Sequence, residues 1–241
     1  MGALAERLPE IVRRIHSLGH EVASHGQDHL LVFRLSPREF RADTEHSKAV
    51  LEDLTGKPVS GYRAPEFSIR KQALWALDIL AELGFKYDSS IIPIYHRRYG
   101  IPGFSPEITR YTLPSGRAII ELPLSTFAIG PMRIPVAGGG YIRLLPVPLV
   151  QRVVSNLNSR RLPMVTYFHP YEFDTRRLDV FETIMPEDLT DRLRGWRLNW
   201  HQNLRRATVT QKVGTLLRSF PFTSFEEYLR DRVIDECSAI F

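Results

Sequence analysis

Short apolar segments that each run into a chemically loaded residue, with helix-patterned stretches between them, restrict the fold of this chain more than any other feature. Glu21-Val22-Ala23-Ser24 reads as a buried strand leading into His25-Gly26, Gly61-Tyr62 leads into Arg63, and Phe85-Lys86-Tyr87 leads into Asp88-Ser89-Ser90. Met164 to Phe168, the most apolar of the set, leads into His169-Pro170-Tyr171-Glu172. Between these, Leu8, Ile11, Val12 and Ile15 recur at three- and four-residue spacing and predict a helix from Pro9 to Leu18, stopped by Gly19. Ser36-Pro37-Arg38-Glu39 is a capping box with proline at the first helical position, and it opens a helix that runs to Gly56. Another helix is expected from Lys71 to Leu83, ahead of Gly84. Parallel strands need crossover connections, so alternation of this kind specifies a parallel α/β fold, and such folds collect their chemistry at the carboxyl ends of the strands.

Further along, residues 91–116 are expected as loop and Arg117 to Leu124 as a strand. Gly138-Gly139-Gly140 reads as a flexible turn, Pro148 to Leu157 as a helix, and the chain beyond Asp174 as mostly helical. With 241 residues, 43% of them apolar, the chain can bury a sizeable core. The net charge of +5 is spread over arginine pairs such as Arg13-Arg14, Arg97-Arg98, Arg160-Arg161, Arg176-Arg177 and Arg205-Arg206. It is not gathered on one helix or tail, which argues against nucleic acid; an acidic polysaccharide or an anionic membrane face suits the same balance. Cys237 is the single cysteine, so neither an internal disulfide nor a cysteine-based zinc site is available. No apolar run is long enough to span a bilayer, and the first residues lack the apolar core of a signal peptide. As written, a cytoplasmic location is expected; a true N-terminus upstream of Met1 would allow a membrane-associated or exported protein instead.

His25 and His29 stand four apart in a polar loop after a strand, a spacing that lets two imidazoles reach one metal ion. His16 and His20 share that spacing but flank the end of a helix, where a structural role suits them. Arg63, in Arg63-Ala64-Pro65-Glu66-Phe67-Ser68, either holds a carboxylate or makes a surface ion pair beside a proline-stiffened turn. His169 is placed either for acid–base work or as a hydrogen-bonded core residue. Asp88 either orients a histidine or closes a plain turn.

In order, these segments resemble the later motifs of the NodB-homology polysaccharide deacetylases, in particular the branch encoded with exosortase and exopolysaccharide loci. The matching stretches are Glu21 to His29, Gly61 to Ser68, Tyr87 to Ser90, Gly138 to Tyr141 and Phe168 to Glu172, with a tail that includes Phe220-Pro221-Phe222-Thr223-Ser224. The resemblance implies an irregular (β/α) barrel that removes acetyl groups, on nitrogen or oxygen, from a polysaccharide with a divalent metal, usually zinc. It also implies a catalytic domain over residues 1–173 and a helical extension over 174–241. His25 and His29 match the two histidine ligands and Arg63 the residue that positions the catalytic base. His169 matches the general acid with Asp88 as its orienting partner, and the Glu66 N–H matches an oxyanion donor.

The family's first motif, a strand bearing two acidic residues that supply the base and the third metal ligand, has no counterpart here. Before His25 the only acidic residues are Glu6, Glu10 and Glu21, on or beside the first helix and at the start of a strand. The expectation is therefore a barrel truncated at its N-terminus, with Met1 an internal start. The alternative is a catalytically inactive remnant that binds glycan or a partner protein.

Overall fold

The computed structural model describes residues 2–237 except 97, 131, 180, 182–187 and 231. Met1 and Arg97 lie outside the described residues. In chain order the helices are α1 (Gly2–Arg7), α2 (Pro9–Ser17), α3 (Pro37–Thr55), α4 (Trp75–Glu82), α5 (Gly139–Ile142), α6 (Val147–Ser159), α7 (Leu189–Asn203), α8 (Val209–Ser219) and α9 (Phe225–Arg230). The strands are β1 (Gly61–Tyr62), β2 (Tyr87–Asp88), β3 (Thr109–Thr112), β4 (Ala118–Glu121), β5 (Thr126–Ile129), β6 (Met132–Pro135) and β7 (Glu236–Cys237). Two compact units result, one of Met1–Pro135 with Phe222–Phe241 and one of Val136–Pro221. The boundary expected after residue 173 falls inside the second of these.

The first unit is built on a sheet of order β1-β2-β4-β3-β7. β1, β2 and β4 run parallel, β3 returns antiparallel to β4, and β7 lies parallel to β3. Ser24 extends the row by a parallel bridge to Tyr62. β5 and β6 form a separate antiparallel hairpin. The parallel core and its crossover helices α3 and α4 are what the strand–helix alternation of the sequence specifies.

α3 forms where expected because its start is chemically fixed. The Ser36 Oγ accepts from the Glu39 N–H (3.3 Å) and the Glu39 carboxylate accepts from the Ser36 N–H (2.8 Å). Gly56 ends the helix at φ 63°, in the left-handed region that glycine enters without a Cβ penalty. The helix packs on the sheet through Phe40, whose ring meets Tyr62 and Trp75 edge-on at 5.8 and 5.6 Å. Leu77 and Leu80 of α4 and Ile119 of β4 complete the same buried cluster.

Four local expectations change, the first at Glu21 to Ser24, where the expected buried strand is represented by the Ser24 bridge alone and Ala23 is exposed. Residues 109–112, inside the expected loop, form β3, because Thr109-Arg110-Tyr111-Thr112 alternates buried and exposed side chains on a two-residue period. Among the described residues, the expected strand from Met164 to Phe168 is represented by an isolated bridge, Tyr167 to Gly138. Gly138 and Gly139 are not a flexible turn: they open α5 and are packed tightly. A Cβ on Gly138 would enter the Tyr167 ring and one on Gly139 would collide with the Glu172 carboxylate. In the second unit Ile142 of α5, Val150 and Val154 of α6 and Leu216 of α8 form the apolar centre.

Candidate active site

The parallel register lines up Ser24, Tyr62, Asp88 and Glu121 across the first unit, so the residues that follow them in sequence meet at one end of the sheet. His25 Nδ1 lies 2.6 Å from the Arg63 carbonyl oxygen. A carbonyl can only accept, so Nδ1 carries the proton and the Nε2 lone pair is left for a ligand. Burial pushes the His25 pKa down to about 4, which keeps the ring neutral and able to coordinate at ordinary pH. The His29 ring stands against it, edge to face, with centroids 5.1 Å apart.

The loop carrying the pair is held from two sides. The Asp43 carboxylate of α3 accepts from the N–H groups of Gln27 (2.9 Å) and Asp28 (3.1 Å). The first turn of α1 donates to the loop carbonyls, Gly2 N–H to Gly26 (2.9 Å) and Ala3 N–H to Gln27 (3.1 Å). Glu6 joins this bracing by accepting from the Gln27 side-chain amide at 2.8 Å. His29 itself sits at φ 58°, a left-handed backbone that costs a non-glycine residue about 1 kcal/mol or more. Asp43 escaped the sequence reading because only the folded chain brings it to a loop fifteen residues earlier.

Arg63 turns its guanidinium to the next strand end. Nε donates to the Ser89 carbonyl (2.9 Å) and a terminal nitrogen to the Ser89 hydroxyl (2.8 Å), which in turn donates to the Leu122 carbonyl (2.7 Å). The turn after it is strained, with Glu66 at φ 51° and Phe67 at φ 54°. It is fixed by the Ala64 N–H on the Ser90 hydroxyl (2.7 Å) and by Phe67 N–H on the Ala64 carbonyl (3.1 Å). The Glu66 side chain points to an ion pair with Arg98.

Asp88 and Glu121 form a fully buried carboxyl pair at the ends of β2 and β4. Asp88 accepts from the Ser90 hydroxyl (2.6 Å) and N–H (3.1 Å), and Glu121 accepts from the Ile91 N–H (2.9 Å). Burial raises both pKa values, and the neighbouring Asp88 charge drives Glu121 well above the usual carboxylate range. Two carboxylates are both acceptors, so the second Glu121 oxygen, otherwise without a donor, is satisfied when it carries the proton shared with Asp88.

A folded-state pKa above the unfolded one stabilises the fold below the unfolded value and loses that contribution as pH rises through the folded value. The unfolding free energy measured by urea titration is therefore expected to fall as pH rises above the ordinary carboxylate range, by up to about 1.4 kcal/mol per pH unit for one proton. Glu121→Gln, whose amide replaces the shared proton as donor, should flatten that dependence. An unchanged slope in the variant would show that the pair does not share a proton.

In the second unit, His169 caps the short 3-10 turn Pro170–Glu172. Glu172 is buried, accepts from the His169 N–H at 2.8 Å, and lies 3.6 Å from Nδ1. The imidazole stays exposed, between the Tyr167 ring edge (5.6 Å) and the stacked Tyr171 ring (5.4 Å). Asp88, for which a role beside His169 is expected, spends its carboxylate on Ser90 and Glu121 in the first unit. Among the described residues of the second unit, the carboxylate beside His169 is Glu172. His-Pro-Tyr-Glu contains it, but at three residues' separation across a proline only the turn geometry shows that the two side chains meet.

The donors available for a metal are the two imidazoles of His25 and His29. Nitrogen donors of this kind fit zinc, and no third histidine, cysteine or carboxylate joins them among the described residues.

The chain as a whole is an α/β protein whose likeness to a solved structure supports that fold. It aligns with the allantoinase PuuE at a TM-score of 0.52 and 14% identity, over 94% of this chain and 63% of that one. Residues 89–230 match the family described as domain of unknown function DUF3473, and residues 1–87 match the polysaccharide deacetylase family. The chain thus belongs to the NodB-type polysaccharide deacetylases in the form that continues into a DUF3473 domain. Among similar curated proteins are a peptidoglycan deacetylase of Helicobacter pylori, 33% identical over 38% of this chain, and a peptidoglycan deacetylase-like protein of Gibberella zeae, 26% identical over 52%. The match spans 30% and 40% of those proteins, well under half of their length.

Proposed function

We propose that the protein hydrolyses acetyl groups from an acetylated glycan, in the building of an exopolysaccharide, and that this chain carries the histidine pair and the general acid that the family resemblance implies. The observation that supports this best is the contact of His25 Nδ1 with the Arg63 carbonyl. It joins two deacetylase-like motifs on neighbouring strands and leaves Nε2 open in a ring that burial keeps neutral.

His25 and His29 would hold a divalent metal, zinc by the softness of the donors, and such an ion supplies polarisation of the acetyl carbonyl and of water. Arg63, held by Ser89, would position the general base in the manner the family resemblance implies. The Glu66 N–H would serve a developing oxyanion, and the strained turn around it keeps that amide fixed. His169 would return the proton to the leaving amine, or to the leaving hydroxyl of an ester. We assign its orientation to Glu172 on the strength of their contact, with Asp88 bracing the Arg63 turn through Ser90.

The test is acetate release from N-acetylated oligosaccharides compared with release from small N-acetyl amides, each in the presence of zinc. Release from the oligosaccharide, in excess over the small amide, is the expected result. Release from the small amide alone would move the substrate outside sugars, and glycan binding without acetate would make the chain a binding protein.

A further inference from the structure

Helix α7 presents its apolar seam to solvent. Leu189, Leu193, Trp196 and Trp200 follow one another at four, three and four residues, which places them on a single stripe about 16 Å long. Their exposures are 72%, 64%, 69% and 58%. The face that packs against the rest of the second unit is small and polar. Gly195 abuts the Phe181 ring, the Asn199 amide donates to Asp179 (2.8 Å), and the Asn203 side chain exchanges two hydrogen bonds with the Leu178 backbone (3.0 and 2.8 Å). A helix that anchors through asparagines and shows two leucines and two tryptophans to water reverses the ordinary pattern, and a stripe of this kind marks a docking surface.

The charges around the stripe select what docks. At 100° per residue Arg192 lies about 70° to one side of it and Arg197 about 70° to the other. The acids of the segment are used elsewhere: Asp188 caps the helix by accepting from the Asp191 N–H (2.7 Å), and Asp191 pairs with Arg194 (3.4 Å). Two copies of this face brought together would oppose arginine to arginine on both flanks, whichever way the helices ran, which disfavours self-association. An anionic surface matches it on both flanks. Tryptophan and leucine projecting from a convex helix, with arginines whose long stems reach past them, suit the acyl–headgroup boundary of a bilayer.

We propose that α7 docks this protein on an anionic lipid surface, lying in the plane of the headgroups with Leu189, Leu193, Trp196 and Trp200 inserted and Arg192 and Arg197 on lipid phosphates. Docking of this kind would hold a polymer-modifying centre beside the membrane at which its glycan is assembled. It goes beyond the deacetylase reading and stands independently of it.

The experiment is co-sedimentation of the full chain with vesicles of phosphatidylcholine alone or with roughly one third phosphatidylglycerol. The expected result is binding to the anionic vesicles that weakens with salt, drops at least about tenfold in the Trp196→Ser/Trp200→Ser double variant, and drops comparably in Arg192→Glu/Arg197→Glu. These side chains are exposed, so the variants should keep the wild-type circular dichroism and melting temperature. Equal binding by the tryptophan variant, or no binding to either vesicle, overturns the proposal. Self-association abolished by the same substitutions in the absence of lipid would assign the stripe to a second copy instead, and quenching of the exposed tryptophans by oligosaccharide without vesicle binding would assign it to glycan.

Discussion

His169→Ala is expected to lower acetate release by about 10²- to 10⁴-fold while leaving bound metal unchanged. The size follows from the role of a general acid: without it the amine leaves as a poor anion or waits for a proton from water. The metal should be indifferent because the proposed donors are His25 and His29, and His169 is proposed as the acid alone. Glu172→Gln tests the orientation separately. The amide oxygen can still accept from the His169 N–H, so the turn should persist, but the carboxylate 3.6 Å from Nδ1 is gone. An intermediate loss of turnover is expected; turnover at the wild-type rate would confine Glu172 to shaping the turn. Loss of metal in His169→Ala would make that residue a ligand and contradict its assignment as the acid.

The largest expected effect on stability is at Asp88. Asp88→Ala removes the acceptor for the Ser90 hydroxyl, the Ser90 N–H and the proton on Glu121, all buried. It also releases the serine that receives the Ala64 N–H. Stranding buried polar partners of this kind costs about 3–5 kcal/mol, enough to lower the urea midpoint by well over 1 M in a domain with an ordinary m-value. Asp88→Asn keeps the shape and one acceptor oxygen and should cost roughly half as much. A small effect of Asp88→Ala would show that the strand-end network does not hold the site together.

Much of this arrangement was legible before folding. The capping box at Ser36 and the stop at Gly56 announce α3 through local chemistry alone, and polar residues after apolar runs mark the strand ends where His25 and Arg63 stand. What escaped depends on distance in sequence. Glu121 sits in an apolar stretch as one more strand residue until the parallel register sets it beside Asp88. Asp43 lies on an ordinary helix until the histidine loop folds back to it. The glycines at 138 and 139 read as freedom, whereas the folded chain uses their missing side chains to let Tyr167 and Glu172 approach. β3 was hidden because its four-residue alternation is flanked by prolines and glycines that dilute the pattern. The exposed seam of α7 is visible as periodicity, but periodicity cannot say which face is turned inward.

The central claim is that His25 and His29 are metal ligands, and the most direct test is metal content. The purified chain, equilibrated with zinc and freed of excess, should retain about one ion, and His25→Ala and His29→Ala should each lose it, with affinity reduced by at least about 100-fold. Zinc held at full occupancy by both variants would contradict the assignment.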